Sequence, residues 1–400
     1  MTSLSDKSSL FVFLFVFPLG GIGSIFSNFG YDAFNIMSSI RALGYISGCA
    51  FFILYLFNFF INDGKVKLNH ISVVFSVLFF FLVFFIQVGF NYNLFGPTGG
   101  GEFKNALSVH IPIFLTYLSM LYLGFYWISL SNKKIVVLSW CLYTCSIYFF
   151  VDFHTLSLDF MQLRNPSDRS FILMLSDSYV LTTLTTLAFL RKSNFKFILV
   201  FGLGLISLFF ISSRTALLLY LLSVFVYYSV IGSVRLKVLV VIILIPFILW
   251  SFYFLQSNAT GYSARLFEFS SSDDSLVGRE NMLNSGIKKV LESPIIGDFG
   301  GQVRVSLDQH GERWGAYIHN SVSYFRQFGI LGLFFVLYLY FLSVVIFYKA
   351  KIRNELNCYR IIFMPCIYIV LATILSRSYV YPWLFLIPGF YISSTKRYSH

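Results

Sequence analysis

HISVVFSVLFFFLVFFIQVGF, residues 70–90, contains no Asp, Glu, Lys or Arg in 21 positions. Coiled as an α-helix, a run of that length spans ~30 Å, the thickness of the hydrocarbon core of a bilayer. Its apolar side chains surround the helix instead of forming one stripe, as expected where a helix faces lipid or other apolar helices. Similar runs lie near 9–27, 39–61, 110–130, 135–153, 171–190, 197–212, 215–233, 238–255, 320–348, 361–376 and 379–394, about twelve in all. The whole chain agrees: 57% of its residues are hydrophobic and 12% charged, with a mean hydropathy of +0.77, which excludes a soluble globular domain of this length. The expectation is an all-α, polytopic membrane protein of about 12 transmembrane helices.

The basic residues set its orientation. Connections carrying Lys65 and Lys67, Lys133 and Lys134, Arg191, Lys192 and Lys196, Arg235 and Lys237, and Lys349 to Arg360 alternate with connections poor in Lys. By the positive-inside rule the first set is cytoplasmic, so both termini are expected inside and the segment Gln256–His319 outside. The first apolar run is long and lacks a small-residue cleavage pattern, so it is expected to remain as a span. Three parts result: 1–255 with nine spans and short loops, 256–319 as one large outer loop, and 320–400 with three spans.

On this topology the inner face holds 11 Lys and 5 Arg, and the outer face and outer span ends hold 3 Lys and 10 Arg. The inner excess is ordinary topology signalling. The outer set, Arg41, Arg164, Arg169, Arg214, Arg265, Arg279, Arg304, Arg313, Arg326 and Arg377, runs against the rule. A guanidinium stays charged and presents a planar fork, which suits two-point recognition of phosphate or carboxylate. Fourteen of the 17 acids also lie outside or near outer span ends, so part of the Arg set is taken up in plain salt bridges. No Cys falls in the large loop, which therefore has no disulfide scaffold. Cys141 and Cys145 are four apart, but without His or carboxylate company they read as packing residues.

Within the loop, Glu280 to Leu291 has Leu283, Ile287, Val290 and Leu291 at helical spacing, and Ser293-Pro294 ends the pattern. Such a helix lies on the membrane or caps a cavity. At the loop's end His319 precedes Asn320, a good N-cap for the next span. Ser323 and Arg326 follow His319 by four and seven residues, one helical face. Histidine is the natural general base near neutral pH, and its bland alternative is a hydrogen-bonding anchor at the membrane surface. Ser212-Ser213-Arg214-Thr215-Ala216 is a turn so short that Arg214 must sit at the ends of two spans, where burying a guanidinium costs a few kcal/mol unless it is paired or wet.

Ser-Arg-Thr-Ala after a span, Gly278-Arg279 opening a helix, Ser293-Pro294-Ile295-Ile296-Gly297, and His319-Asn320 followed by Gly329-Ile330-Leu331-Gly332 resemble the O-antigen ligase/polymerase superfamily, and within it a Wzy-type O-antigen polymerase. The resemblance covers mainly residues 200–340. It implies a GT-C-like, metal-independent, inverting glycosyltransferase without a cofactor, at the periplasmic face of a bacterial inner membrane. The donor would be an oligosaccharide on undecaprenyl pyrophosphate, and the acceptor the sugar of another lipid-linked repeat unit. Carried onto this chain, His319 would position or deprotonate the acceptor hydroxyl, and Arg214 and Arg279 would hold the pyrophosphate. Arg265, Arg164, Arg169, Arg326, Arg377 and Asn320 are further substrate-binding candidates. Membrane lipid and a polysaccharide chain-length regulator are the implied partners, and nucleic acid is not. Two alternatives remain at this stage: an O-antigen ligase, which differs only in using lipid A-core as acceptor, and a flippase or transporter of lipid-linked sugars.

Overall fold

A computed structural model describes residues 2–31, 35–62, 68–90, 106–130, 132–158, 170–190, 194–231, 290–299, 320–352 and 356–395, with isolated positions between 242 and 288. The described chain is mostly helical. Its helices are α1 (Thr2–Val16), α2 (Pro18–Asn28), α3 (Asn35–Asn62), α4 (Leu68–Phe90), α5 (Ala106–Tyr126), α6 (Lys133–Phe149), α7 (Ser170–Phe189), α8 (Asn194–Phe210), α9 (Arg214–Ile231), α10 (Val322–Ile352), α11 (Leu356–Leu375) and α12 (Leu386–Thr395). A two-stranded hairpin pairs β1 (Val151–Asp152) with β2 (Ser157–Leu158). Among the described residues, six helical segments are long and apolar enough to cross a membrane, and three further apolar helices are shorter. The expected span at 238–255 lies almost wholly outside the described residues.

Two compact units divide the chain. The first comprises residues 1–48, 126–269 and 347–368, and the second 49–125, 270–346 and 369–400. In the first unit, the opening apolar run is not one straight helix. It breaks at Phe17 (φ −96°, ψ −81°), because Pro18 lacks an N–H and crowds the residue before it. The last carbonyls of α1 lack intrahelical donors, and Arg41 supplies one: its Nε donates to the Val16 carbonyl at 3.2 Å. Arg41 is buried and also lies against the Met174 sulfur.

Helix α7 is the hub of this unit, packed on α2, α6, α8 and α9. Its sequence reads as an apolar span, yet its buried surface carries Ser176, Asp177, Ser178, Thr182, Thr183, Thr185 and Thr186. Hydroxyls are tolerated there because each bonds a backbone carbonyl of its own helix, as Thr182 does to Ser178 and Thr186 to Thr182. Several also cross to neighbours. Trp140 Nε1 donates to Thr183 Oγ1 at 3.0 Å, Tyr143 and Ser178 share a bond of 2.7 Å, and the Tyr179 hydroxyl joins Thr144 on α6 to Ser207 on α8, both at 3.0 Å. The Tyr368 hydroxyl donates to Asp177 Oδ1. Where the surroundings are as apolar as the helices, such bonds fix which faces meet. Tyr179→Phe leaves Thr144 and Ser207 still bonded to their own helices, to Trp140 and Leu203. It should therefore cost only about 0.6–1.7 kcal/mol, read as a small drop in the thermal midpoint of the purified protein in detergent.

The second unit has an aromatic core. Phe80 stacks on Phe335 at 3.9 Å and Tyr117 on Phe385 at 4.2 Å, tying α4, α10, α5 and the Pro382–Phe385 turn together. The apolar run 379–394 is not one span-length helix. It starts with that 3-10 turn and ends in α12, whose ten residues reach ~15 Å.

Candidate functional site

In the second unit several of the expected motifs lie among the described residues and come together. Asn320 caps α10 as expected, its side-chain oxygen accepting from the Val322 N–H at 3.0 Å. The helix then departs from expectation. At Gly329 the backbone turns to φ 61°, ψ −152°, outside helical space, so seven residues precede the break and the long remainder follows it.

The break is filled by the segment that follows Ser293. Ile330 N–H donates to the Pro294 carbonyl at 3.0 Å, and Asp298 N–H to the Arg326 carbonyl at 2.6 Å. Backbone groups freed by the broken helix thus find partners in the inserted loop, which an apolar environment demands. The fit requires two glycines. Gly297 has φ 84°, and a Cβ on it would stand 2.5 Å from Gly329 N; a Cβ on Gly329 would stand 2.0 Å from the Ile295 oxygen. Gln87 Nε2 holds the same loop from α4, donating to the Ile296 carbonyl at 2.9 Å. The motifs Ser293–Gly297 and Gly329–Gly332, read separately in the sequence, are two halves of one joint.

The joint delivers Asp298 and Phe299 to the buried side of α10. Asp298 Oδ2 lies 3.5 Å from Nη2 of Arg326, whose side chain is 1% exposed. That is an ion pair without an aligned hydrogen bond: both Nε and Nη2 of Arg326 are buried with no hydrogen-bond partner. Phe299 packs its ring 5.1 Å from the ring of His110 and 5.7 Å from Phe328. His110, on α5, is buried, and its Nε2 lies 3.2 Å from the Tyr379 hydroxyl. Tyr379 is itself clamped. Its N–H donates to Ser323 Oγ at 2.8 Å, and its carbonyl accepts from the hydroxyls of Tyr117 and Tyr324. Ser323 and Arg326 are both buried on the leading segment of α10. Arg377, two residues before Tyr379, is buried in the same turn and donates to the Ser376 carbonyl.

Of the remaining candidates, Arg214 opens α9 in the first unit. The turn before it is as short as expected, Ile211–Ser213, and Ser212 takes φ 57°, a strained value for a residue with a Cβ. His319, Arg279, Arg265, Arg164 and Arg169 lie outside the described residues. The helix expected over 280–291 is helical at its described positions. Val290 is buried, whereas Ile287 and Leu291 are exposed, as are Ile295 and Ile296 beyond them, which leaves apolar side chains on the outside of the segment. Cys141 and Cys145 are exposed on α6 and do not pack inward. His110, Tyr379 and Asp298 escaped the sequence reading. A histidine inside an apolar run was the available signal for the first, since ionisable groups in spans are rarely idle. No family model and no curated protein matches the chain.

Proposed function

We propose that the chain is a polysaccharide repeat-unit polymerase, a glycosyltransferase that elongates O-antigen on undecaprenyl pyrophosphate. The observation that supports this reading is the joint between Ser293–Gly297 and Gly329, because two of the short motifs behind the resemblance prove to be one structural unit. The joint grips the first turns of the helix that follows His319-Asn320, so it would fix the helix start that His319 leads into. In the proposed reaction the acceptor hydroxyl oxygen attacks the anomeric carbon, the bond from that carbon to the phosphate oxygen breaks, and the carrier pyrophosphate leaves. His319 would take the hydroxyl proton or orient it, and Arg214 and Arg279 would stabilise the charge developing on the leaving group. The reading places the reaction at the periplasmic face of the inner membrane, with about twelve spans and the 256–319 loop outside.

The broken helix also bears on the transporter alternative, since transporters use discontinuous helices at the middle of the bilayer. Here the break comes roughly 10 Å into a helix of roughly 46 Å, near its end, which suits a surface reaction better than a central binding site. A deletion strain read on a lipopolysaccharide gel separates the readings. Loss of the polymerase leaves single repeat units on core. Bare core with polymer retained on the carrier lipid means a ligase, and absence of outward-facing lipid-linked units means a flippase.

A further inference from the structure

The least expected group in the second unit is the guanidinium of Arg326. It is removed from solvent almost completely, yet Nε and Nη2 make no hydrogen bond. Leaving donors of a buried cation unsatisfied forfeits hydration without replacing it, and native interiors rarely retain such groups without a use. Asp298 compensates the charge but not the geometry, since its nearest oxygen is 3.5 Å from Nη2. Glu292 adds a second negative field. The two idle atoms form one edge of the guanidinium, and that edge is the one that receives two oxygens of a carboxylate or phosphate side by side.

Asp298 is well placed to be the resident occupant of this position. Its backbone is held by the bond to the Arg326 carbonyl, which sets its carboxylate beside the cation. Its side chain is 29% exposed, so one side of the pair is reachable from outside. The loop that carries it is bonded to α10 on both sides of the break, through Asp298 N–H and the Pro294 carbonyl, and to α4 through Gln87.

We infer that the Nε–Nη2 edge of Arg326 is an oxyanion-binding subsite, and that Asp298 is an internal competitor which an arriving oxyanion displaces from it. The ligand chemistry is a group with two equivalent oxygens, supplied either by a phosphate or by the carboxylate of an acidic sugar. This deepens the polymerase reading by adding a subsite to the same region, but its test needs no glycan transfer.

Binding is measured on the full-length protein purified in detergent, with inorganic pyrophosphate in one arm and glucuronate in the other. At least one probe should bind saturably to the unaltered protein, and the arm that binds identifies the source. Asp298→Asn should tighten that binding about three- to tenfold, by removing the competing charge. Arg326→Gln should weaken it about ten- to a hundredfold. Arg326→Lys keeps the charge without the fork and should fall between, and it serves if the Gln variant does not fold. A purely structural ion pair would make the Asp298 and Arg326 variants weaken binding alike, and that result overturns the inference. So does binding unchanged by Arg326→Lys, or no binding of either probe to the Asp298→Asn protein. Failure of the deletion strain to show single repeat units would remove the polymerase reading and leave these binding arms standing.

Discussion

Gly329→Ala should detach the 294–299 loop from α10 and abolish function. Two costs act together. The residue sits at φ 61°, ψ −152°, a region open almost only to glycine, and placing a side chain there costs about 1–3 kcal/mol. The new Cβ would also lie 2.0 Å from the Ile295 oxygen and 2.4 Å from its carbonyl carbon, both backbone atoms that no rotamer change can move. Relief requires the loop to withdraw, which breaks the bonds to the Arg326 carbonyl and from Ile330 and leaves backbone groups unpaired. The combined destabilisation is on the order of 5 kcal/mol, enough to undo the joint. Gly297→Ala should behave similarly, since its Cβ would meet Gly329 N at 2.5 Å. Gly89→Ala is the control: it lies in the same unit, in α4, with nothing within 4 Å of an added Cβ, and should be neutral. Limited proteolysis near 293–299 in membranes, together with the glycan ladder, reads the outcome. A Gly329→Ala protein with unaltered cleavage and a full ladder would remove the joint from the account.

The helices were the readable part of this chain because their length is set by one local quantity, the run of residues that lipid accepts. The run expected at 171–190 is helix Ser170–Phe189, and that at 215–233 is helix Arg214–Ile231. Asn320 was readable for the same reason, since a cap acts on its own backbone two residues on. What could not be read is non-local. Gly329 stood in the sequence only as part of a short glycine motif, and its conformation depends on a loop about thirty residues earlier filling the gap. The pairing of His110 with Tyr379 joins residues far apart in the sequence, and no periodicity announces it. The amphipathic pattern of 280–291 groups Ile287 and Leu291 with Val290, of which Val290 is buried and the other two are exposed; burial depends on what the segment meets, which its own spacing does not carry. In α7 the polar residues were invisible against a long apolar average, although they are what faces the other helices.

His319→Ala, Arg214→Ala and Arg279→Ala should each stop chain extension while the protein still inserts in the membrane. Removing a general base costs about 10²–10⁴-fold in rate. Removing one fixed donor to a developing oxyanion costs about 10²–10³-fold. Either loss is large enough to collapse a glycan ladder to single repeat units on core, because each added unit needs a further turnover. Arg214→Lys discriminates between charge and shape. If Arg214 holds a phosphate through its fork, lysine should restore only short ladders; if it anchors the turn after Ser212, lysine should restore full ones. Membrane fractions probed for the protein separate lost chemistry from lost protein, and the Gly89→Ala strain sets the level expected of a folded variant. Normal ladders from all three alanine variants would sink the assignment of His319, Arg214 and Arg279. Because the Arg326 subsite is read by binding alone, that result would leave an oxyanion site in search of a different reaction.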